Sequence, residues 1–156
     1  MTTLQQYVAE QSAAAYPKTS GVGYFSVIRR EFLEAYALAR ALDQRIEDAT
    51  SHPRDLPAVG VYSYLADDHM SGYQVTFSGE LVAVFSRVKG RGDDLIDSAI
   101  HNGATHLDCF DGYLPTLYSR HGFAEYARDA NWTPGGPDVV YMSLPDLPCK
   151  MCGGRH

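Results

Sequence analysis

Residues 81–110 constrain the fold more than any other stretch of the chain. An apolar run, "LVAVF", is followed by a glycine-broken turn, "SRVKGRGDD". Leu95, Ile96, Ala99 and Ile100 then recur at helical spacing, and Gly103 stands where a helix C-terminus needs a left-handed residue. A second apolar run, "THLDCF", closes the unit. Strand, helix and strand in this order give a crossover of the length that a parallel strand pair needs. Such a unit has to lay its helix on the face of a sheet, so the chain must supply further strands and cover for both faces.

The flanking sequence supplies them. "AVGVYSYLA", "SGYQVTF" and "ELVAVFS" are rich in valine, tyrosine and phenylalanine and are separated by "DDHM" and "SGE". They predict an antiparallel meander of three strands. Upstream, Ser26 is a plausible N-cap for a long helix over 27–48. Its apolar positions Val27, Ile28, Phe32, Ala35, Tyr36, Ala39 and Leu42 form one face. Residues 3–15 predict a shorter N-terminal helix stopped by Pro17, and "KTSGVGYFS" reads as a connector. Downstream, Pro115 fits the first turn of a helix ending at Gly122, and "FAEYAR" and "DVVYMSL" read as the last strands. The expected architecture is α/β, or α+β with a mixed sheet. It has one central sheet of about six strands flanked by helices, in a single domain over 1–148 with a flexible tail over 149–156.

Composition narrows the function classes. The 156 residues, 45% hydrophobic and 21% charged, suit one globular domain with one core. A net charge of −6 argues against sequence-blind nucleic-acid binding, which needs a basic face. No run approaches the roughly 20 apolar residues of a membrane span. The N-terminus lacks the basic start and apolar centre of a secretory signal. Three cysteines, an odd number, argue against a disulfide framework and for a reducing, cytoplasmic location.

The turn at 87–92 carries the chemistry. Glycines between a strand and a helix leave backbone N–H groups pointing outward at the positive end of the helix dipole, where anions bind. Arg87, Lys89 and Arg91 add positive charge. Taken alone, the same glycines are also what an ordinary tight turn uses.

The wider spacing is more specific. Arg87, Gly90 and Gly92, followed by Leu95 and Ile96, resemble the acetyl-coenzyme A signature of the GNAT superfamily of N-acetyltransferases. "LYSRHGF" (117–123) resembles the family's L-Y-x-x-x-G-F segment, and "DVVYMSL" resembles its closing strand. The resemblance covers roughly 58–144.

It implies a GNAT-like fold that transfers an acetyl group from acetyl-coenzyme A to an amine by direct attack in a ternary complex. The cofactor would lie along Val84, Phe85, Ser86, Arg87, Val88, Lys89, Gly90, Arg91, Gly92 and Asp93. The pyrophosphate would rest on the amides of 87–92, and an N–H near Val84 or Phe85 would polarise the thioester carbonyl. Tyr118 stands where the family's tyrosine protonates the leaving thiolate; as a plain residue it is a core tyrosine beside Leu114.

Asp108, Asp111 and Glu80 are candidates for the base that the acceptor amine requires. Asp111-Gly112 also reads as a turn, and Glu80 as a solvated strand start. The segment "CFDGYLP" departs from the asparagine-containing stretch common in the family. Asp93 and Asp94 favour the helix dipole by about 0.3–1 kcal/mol, yet bring negative charge to the edge of the cradle.

The expected partners are acetyl-coenzyme A and an amine acceptor, small molecule or protein. The acidic balance suits a basic acceptor such as a lysine side chain or a polyamine. A homodimer is compatible with the fold, and neither nucleic acid nor membrane is expected.

Two rival readings differ in class. One is a non-catalytic GNAT-fold protein that binds a protein partner. The other is a small zinc module built on Cys149, Cys152 and His156, which needs a fourth ligand such as Cys109. No metal is expected. Cys109 itself reads as a buried hydrophobe, with a nucleophilic role beside His106 or His121 as the alternative.

Overall fold

A computed structural model of the chain describes residues 21–145. The expected helix over 3–15 and the cysteines and histidine of the tail lie outside the described residues. The order is β1 (Tyr24–Val27), α1 (Arg29–Leu42), α2 (Gln44–Ala49), a single 3-10 turn (Pro53–Asp55), β2 (Val61–Ala66), β3 (Ser71–Thr76) and β4 (Leu81–Ser86). Next come α3 (Gly92–His101), β5 (His106–Phe110), α4 (Tyr113–Ser119), β6 (Ala124–Asp129) and β7 (Val139–Ser143).

The protein is mixed α/β, as the period switch in the sequence required. The strands form two antiparallel sheets and not one central sheet of about six. One sheet has the order β1-β2-β3-β4 and the other β5-β7-β6, seven strands among the described residues. The three-strand meander is present as β2, β3 and β4. β4 and β5 run parallel, but they meet through one bridge, between Glu80 and His106.

That junction is locked by backbone bonds. The N–H groups of Thr105 and His106 both donate to the Gly79 carbonyl, at 2.8 and 3.3 Å. Gly79 has a φ of +96°, and a Cβ there would overlap the Thr105 hydroxyl and crowd the Gly103 carbonyl. Only glycine fits where the two sheets join.

The extra strand is β1. It pairs with β2 from Tyr24↔Ala66 to Val27↔Ser63. The sequence put the start of the long helix here because Ser26 looks like an N-cap. Ile28 is the N-cap instead, and Ser26 lies within the strand. Four residues with no buried side chain give no alternation to read.

The long helix is also broken. Asp43 has extended backbone (φ −138°, ψ 109°) and its side chain accepts the Arg45 N–H at 2.9 Å, so it ends α1 and caps α2. Aspartate competes for backbone N–H groups in this way, which favours caps over helix interiors.

Two cores cover the two faces. Phe32, Ala35, Tyr36 and Ala39 of α1, at the expected i, i+3, i+4, i+7 spacing, pack with Ile46, Leu56, Leu65 and Phe85. Ile28 and Leu42, expected on that face, are exposed. On the other face, Leu95, Ile96 and Ala99 of α3 and Leu117 and Tyr118 of α4 pack with Tyr73, Val75, Leu107, Val140 and Met142. No helix among the described residues is long and apolar enough to cross a membrane.

Candidate functional site

β4 does not run straight from the junction. Gly72 pairs with Phe85 and Gln74 with Val82, so Tyr73 alone faces two residues of β4, Ala83 and Val84. This is a β-bulge, which bends its strand and leaves a residue outside the ladder. Ala83 has a φ of +56°, a left-handed conformation that alanine adopts at a cost. Beyond the junction β4 and β5 diverge, and a cavity of about 630 Å³ fills the gap.

The cavity reaches both faces of the layer. On the side of the second core it is lined by Gly92, Leu95, Ile96, Leu114, Leu117 and Tyr118. On the opposite side it meets Asp48 to Ser51 and Asp55 to Pro57. Glu80 to Ser86 form one wall, and Asp108, Cys109, Phe110 and Tyr141 contribute to the other. Trp132 reaches it from the β6–β7 loop. There Asn131 holds the turn by accepting the Thr133 N–H and donating to the Pro137 carbonyl.

Of the residues singled out in the sequence, Glu80, Val84, Phe85, Ser86, Gly92, Asp108 and Tyr118 line this cavity. Arg87, Val88, Lys89, Gly90, Arg91 and Asp93 do not line it. Asp111 is exposed and held by Arg128 at 2.7 Å, which keeps its carboxyl below the usual range. The bulge, Asp48, Asp55, Trp132 and Tyr141 were not singled out.

The turn itself is partly anchored. The Arg87 N–H donates to the Met70 carbonyl, and the Val88 N–H to Ser86 Oγ, whose own hydroxyl donates back to the Val88 carbonyl. Gly90 has a φ of +83°. Among the described residues, the N–H groups of Gly90, Arg91 and Gly92 have no acceptor. The Arg91 side chain turns away from them, to Asp68 (2.6 and 3.0 Å) and Ser71 (2.9 Å). That guanidinium depresses the Asp68 carboxyl to a pKa of about 2.

The two aspartates beside the turn are engaged elsewhere. Asp94 accepts the Val22 N–H at 3.0 Å. Asp93, 1% exposed, accepts from Arg120 Nη2 at 3.0 and 3.2 Å and pairs with His121 Nε2 at 2.6 Å. His121 Nδ1 lies 2.8 Å from Asp97. The segment "SRHGF" therefore ties the end of α4 to the first turn of α3, a role its sequence did not disclose. The negative charge of Asp93 is met by the largely buried Arg120 guanidinium.

Tyr118 is 6% exposed, and its hydroxyl has no hydrogen-bond partner among the described residues. Burial pushes its phenol up, assisted by nearby Cys109 and Asp108, so it holds its proton at neutral pH. Burial likewise pushes the Cys109 thiol up to about 12. A thiol with that pKa is a poor nucleophile, which favours the packing role for Cys109. Among the described residues no three histidine, cysteine, aspartate or glutamate side chains gather where a metal ion would sit.

No protein-family model matches this chain, and no curated protein resembles it closely enough to count as a match.

Proposed function

We propose that the protein is a GNAT-type acyltransferase that moves an acetyl group from acetyl-coenzyme A to an amine. The observation that carries the reading is the divergence of β4 from β5 at a bulge. It leaves a cavity that reaches both faces, with Tyr118 on one wall and Glu80 and Asp108 within reach. A donor and an acceptor molecule can enter from opposite sides and meet between the strands.

The N–H groups of Gly90, Arg91 and Gly92, at the N-terminus of the ten-residue helix α3, suit the pyrophosphate. Arg87 and Lys89 add charge near that position, while the Arg91 side chain serves Asp68 and contributes its backbone alone. Val84, Phe85 and Ser86 would flank the pantetheine arm and the thioester. Bound there, acetyl-coenzyme A supplies an activated acyl carbon.

A backbone N–H at the Ala83–Val84 bulge is the natural donor to the developing oxyanion, a contribution on the order of 3 kcal/mol. The neutral amine attacks the acyl carbon, forming the C–N bond as the C–S bond breaks. Asp108 or Glu80 takes the amine proton, directly or through water. Tyr118 gives its proton to the departing thiolate. Burial raises the phenol pKa, and the same desolvation raises the basicity of a thiolate leaving beside it.

Thiol release from acetyl-coenzyme A, followed with a panel of amines, tests the reading. Tyr118→Phe should lower kcat by about 10²-fold or more, the usual share of a positioned acid, and leave cofactor affinity nearly unchanged. Wild-type turnover in that variant would remove Tyr118 from the mechanism. Cofactor binding without thiol release for any amine would favour the non-catalytic binding reading.

A further inference from the structure

Among the described residues, four carboxylates line the cavity between β4 and β5; Asp48, Asp55 and Asp108 are exposed and Glu80 is half-buried. Asp48 and Asp55 stand at the α2 side, Glu80 at the junction of the sheets and Asp108 on β5. No lysine, arginine or histidine among the described residues lines it. Asp55, Glu80 and Asp108 make no ion pair with any described residue, and Asp48 accepts one hydrogen bond, from Gln44. Five acids elsewhere, Asp43, Asp68, Asp93, Asp111 and Glu125, each hold an arginine.

A second, independent observation points to a ligand in the same space. Tyr118 is more than nine-tenths buried, lines the cavity and leaves its hydroxyl without a described partner. The hydroxyl keeps accessible surface toward the cavity and can donate to or accept from a ligand there. The aromatic faces of Trp132 and Phe110, with centroids 6.4 Å apart, and of Tyr141 add surfaces that attract cations.

From these we infer that the acceptor is a linear aliphatic di- or polyamine, bound with its reacting nitrogen toward Tyr118 and a second ammonium among the carboxylates. The argument turns on protonation. The nitrogen that attacks must be neutral, so it cannot also be the cation that the carboxylates recognise. A neutral monoamine would bring no cation to the carboxylates at the moment of reaction, whereas these acids, three of them exposed, select for one that does. A molecule with two or more amino groups keeps an ammonium in place while another nitrogen reacts. Which nitrogen reacts rests on the acyl-transfer reading; the cation site does not.

The test is calorimetric titration of the full chain with spermidine, with propylamine and a short single-lysine peptide as comparisons. Spermidine should bind one-to-one, and propylamine at least about tenfold more weakly, the loss of one charge-assisted contact. Glu80→Gln with Asp108→Asn should weaken spermidine by about tenfold or more, and so should the rim pair Asp48→Asn with Asp55→Asn if the first pair fails to fold. Glu34→Gln with Asp67→Asn, exposed acids outside the cavity, should leave binding unchanged.

Equal weakening by that control pair would reduce the effect to net charge and overturn the inference. Equal affinity for propylamine, or tighter binding of the lysine peptide, would overturn it as well. Acetyl-coenzyme A is titrated separately. Cofactor binding without spermidine binding sinks the inference alone. Spermidine binding without cofactor binding sinks the acyl-transfer reading and leaves the cation site standing.

Discussion

Asp93→Asn tests how the turn at 87–92 tolerates an acid beside it. The change keeps the shape of the side chain and removes its charge. Asp93 is 1% exposed, and its partners Arg120 and His121 have side chains 14% and 2% exposed. Removing one member of a buried, hydrogen-bonded ion pair costs about 3–5 kcal/mol, because the remaining cation loses an attraction that water there replaces poorly. Asparagine keeps one acceptor oxygen, so the lower end, about 3 kcal/mol, is expected. A domain of this size has a total stability of about 5–15 kcal/mol, and each kcal/mol moves Tm by about 2–4 °C.

Scanning calorimetry at neutral pH should therefore show Tm lower by about 6–12 °C. Added salt should change the difference little, since buried pairs are weakly screened. Coenzyme A titration of the folded variant gives the second reading. If Asp93 repelled the pyrophosphate, asparagine would tighten binding. The geometry turns its carboxylate to Arg120 and His121, so affinity should fall or hold as α3 loses its anchor. A Tm within about 2 °C of wild type, or tighter coenzyme A binding, would refute the reasoning.

Further outcomes follow from other positions. Ala83→Gly should stabilise the fold by roughly 1 kcal/mol in urea unfolding, and Ala83→Val should destabilise it by more, because φ is +56° at the bulge. Gly72→Ala should cost several kcal/mol, on the order of an overpacked core. Its Cβ would stand 2.5 Å from the Tyr64 carbonyl and 2.7 Å from Leu65 Cδ2. Peptide mapping after iodoacetamide at pH 8 should find Cys109 unlabelled in the folded protein and labelled in urea, since burial pushes its thiol up to about 12. In acid, the Arg91–Asp68 pair contributes stability that is present above the unfolded carboxyl pKa and lost as pH falls toward about 2. Arg91→Ala should flatten the pH dependence of unfolding in that window.

The parts of the fold legible in the sequence were those carried by periodicity or by glycine. The α1 stripe at Phe32, Ala35, Tyr36 and Ala39, the meander and the stop at Gly103 were readable because burial repeats at a fixed period or a positive φ demands one residue type. β1 was not, because its four residues alternate neither in burial nor in polarity. Asp43 looked like one more polar position in a helix; only its extended backbone and its bond to Arg45 make it a break. The division into two sheets depends on Gly79 and on the bulge at Ala83, and alanine carries no mark of a left-handed backbone.

In the site, Tyr118, Glu80 and Asp108 were identified by position in the chain, and the structure brings them to one cavity. Arg91 was counted toward the cradle by charge, but Asp68, 23 residues away, takes its side chain. Trp132, Asp48 and Asp55 arrive from distant segments with no shared spacing, so nothing local in the sequence joins them.

The central claim is that the turn at 87–92 cradles a pyrophosphate. Amide nuclear magnetic resonance during a titration with coenzyme A tests it most directly. The resonances of Gly90, Arg91 and Gly92 should shift downfield and saturate together, as free N–H groups acquire an anionic acceptor. If those three amides stay fixed at millimolar coenzyme A, or if shifts appear elsewhere while the turn stays unchanged, the cradle does not exist and the acyltransfer reading fails with it.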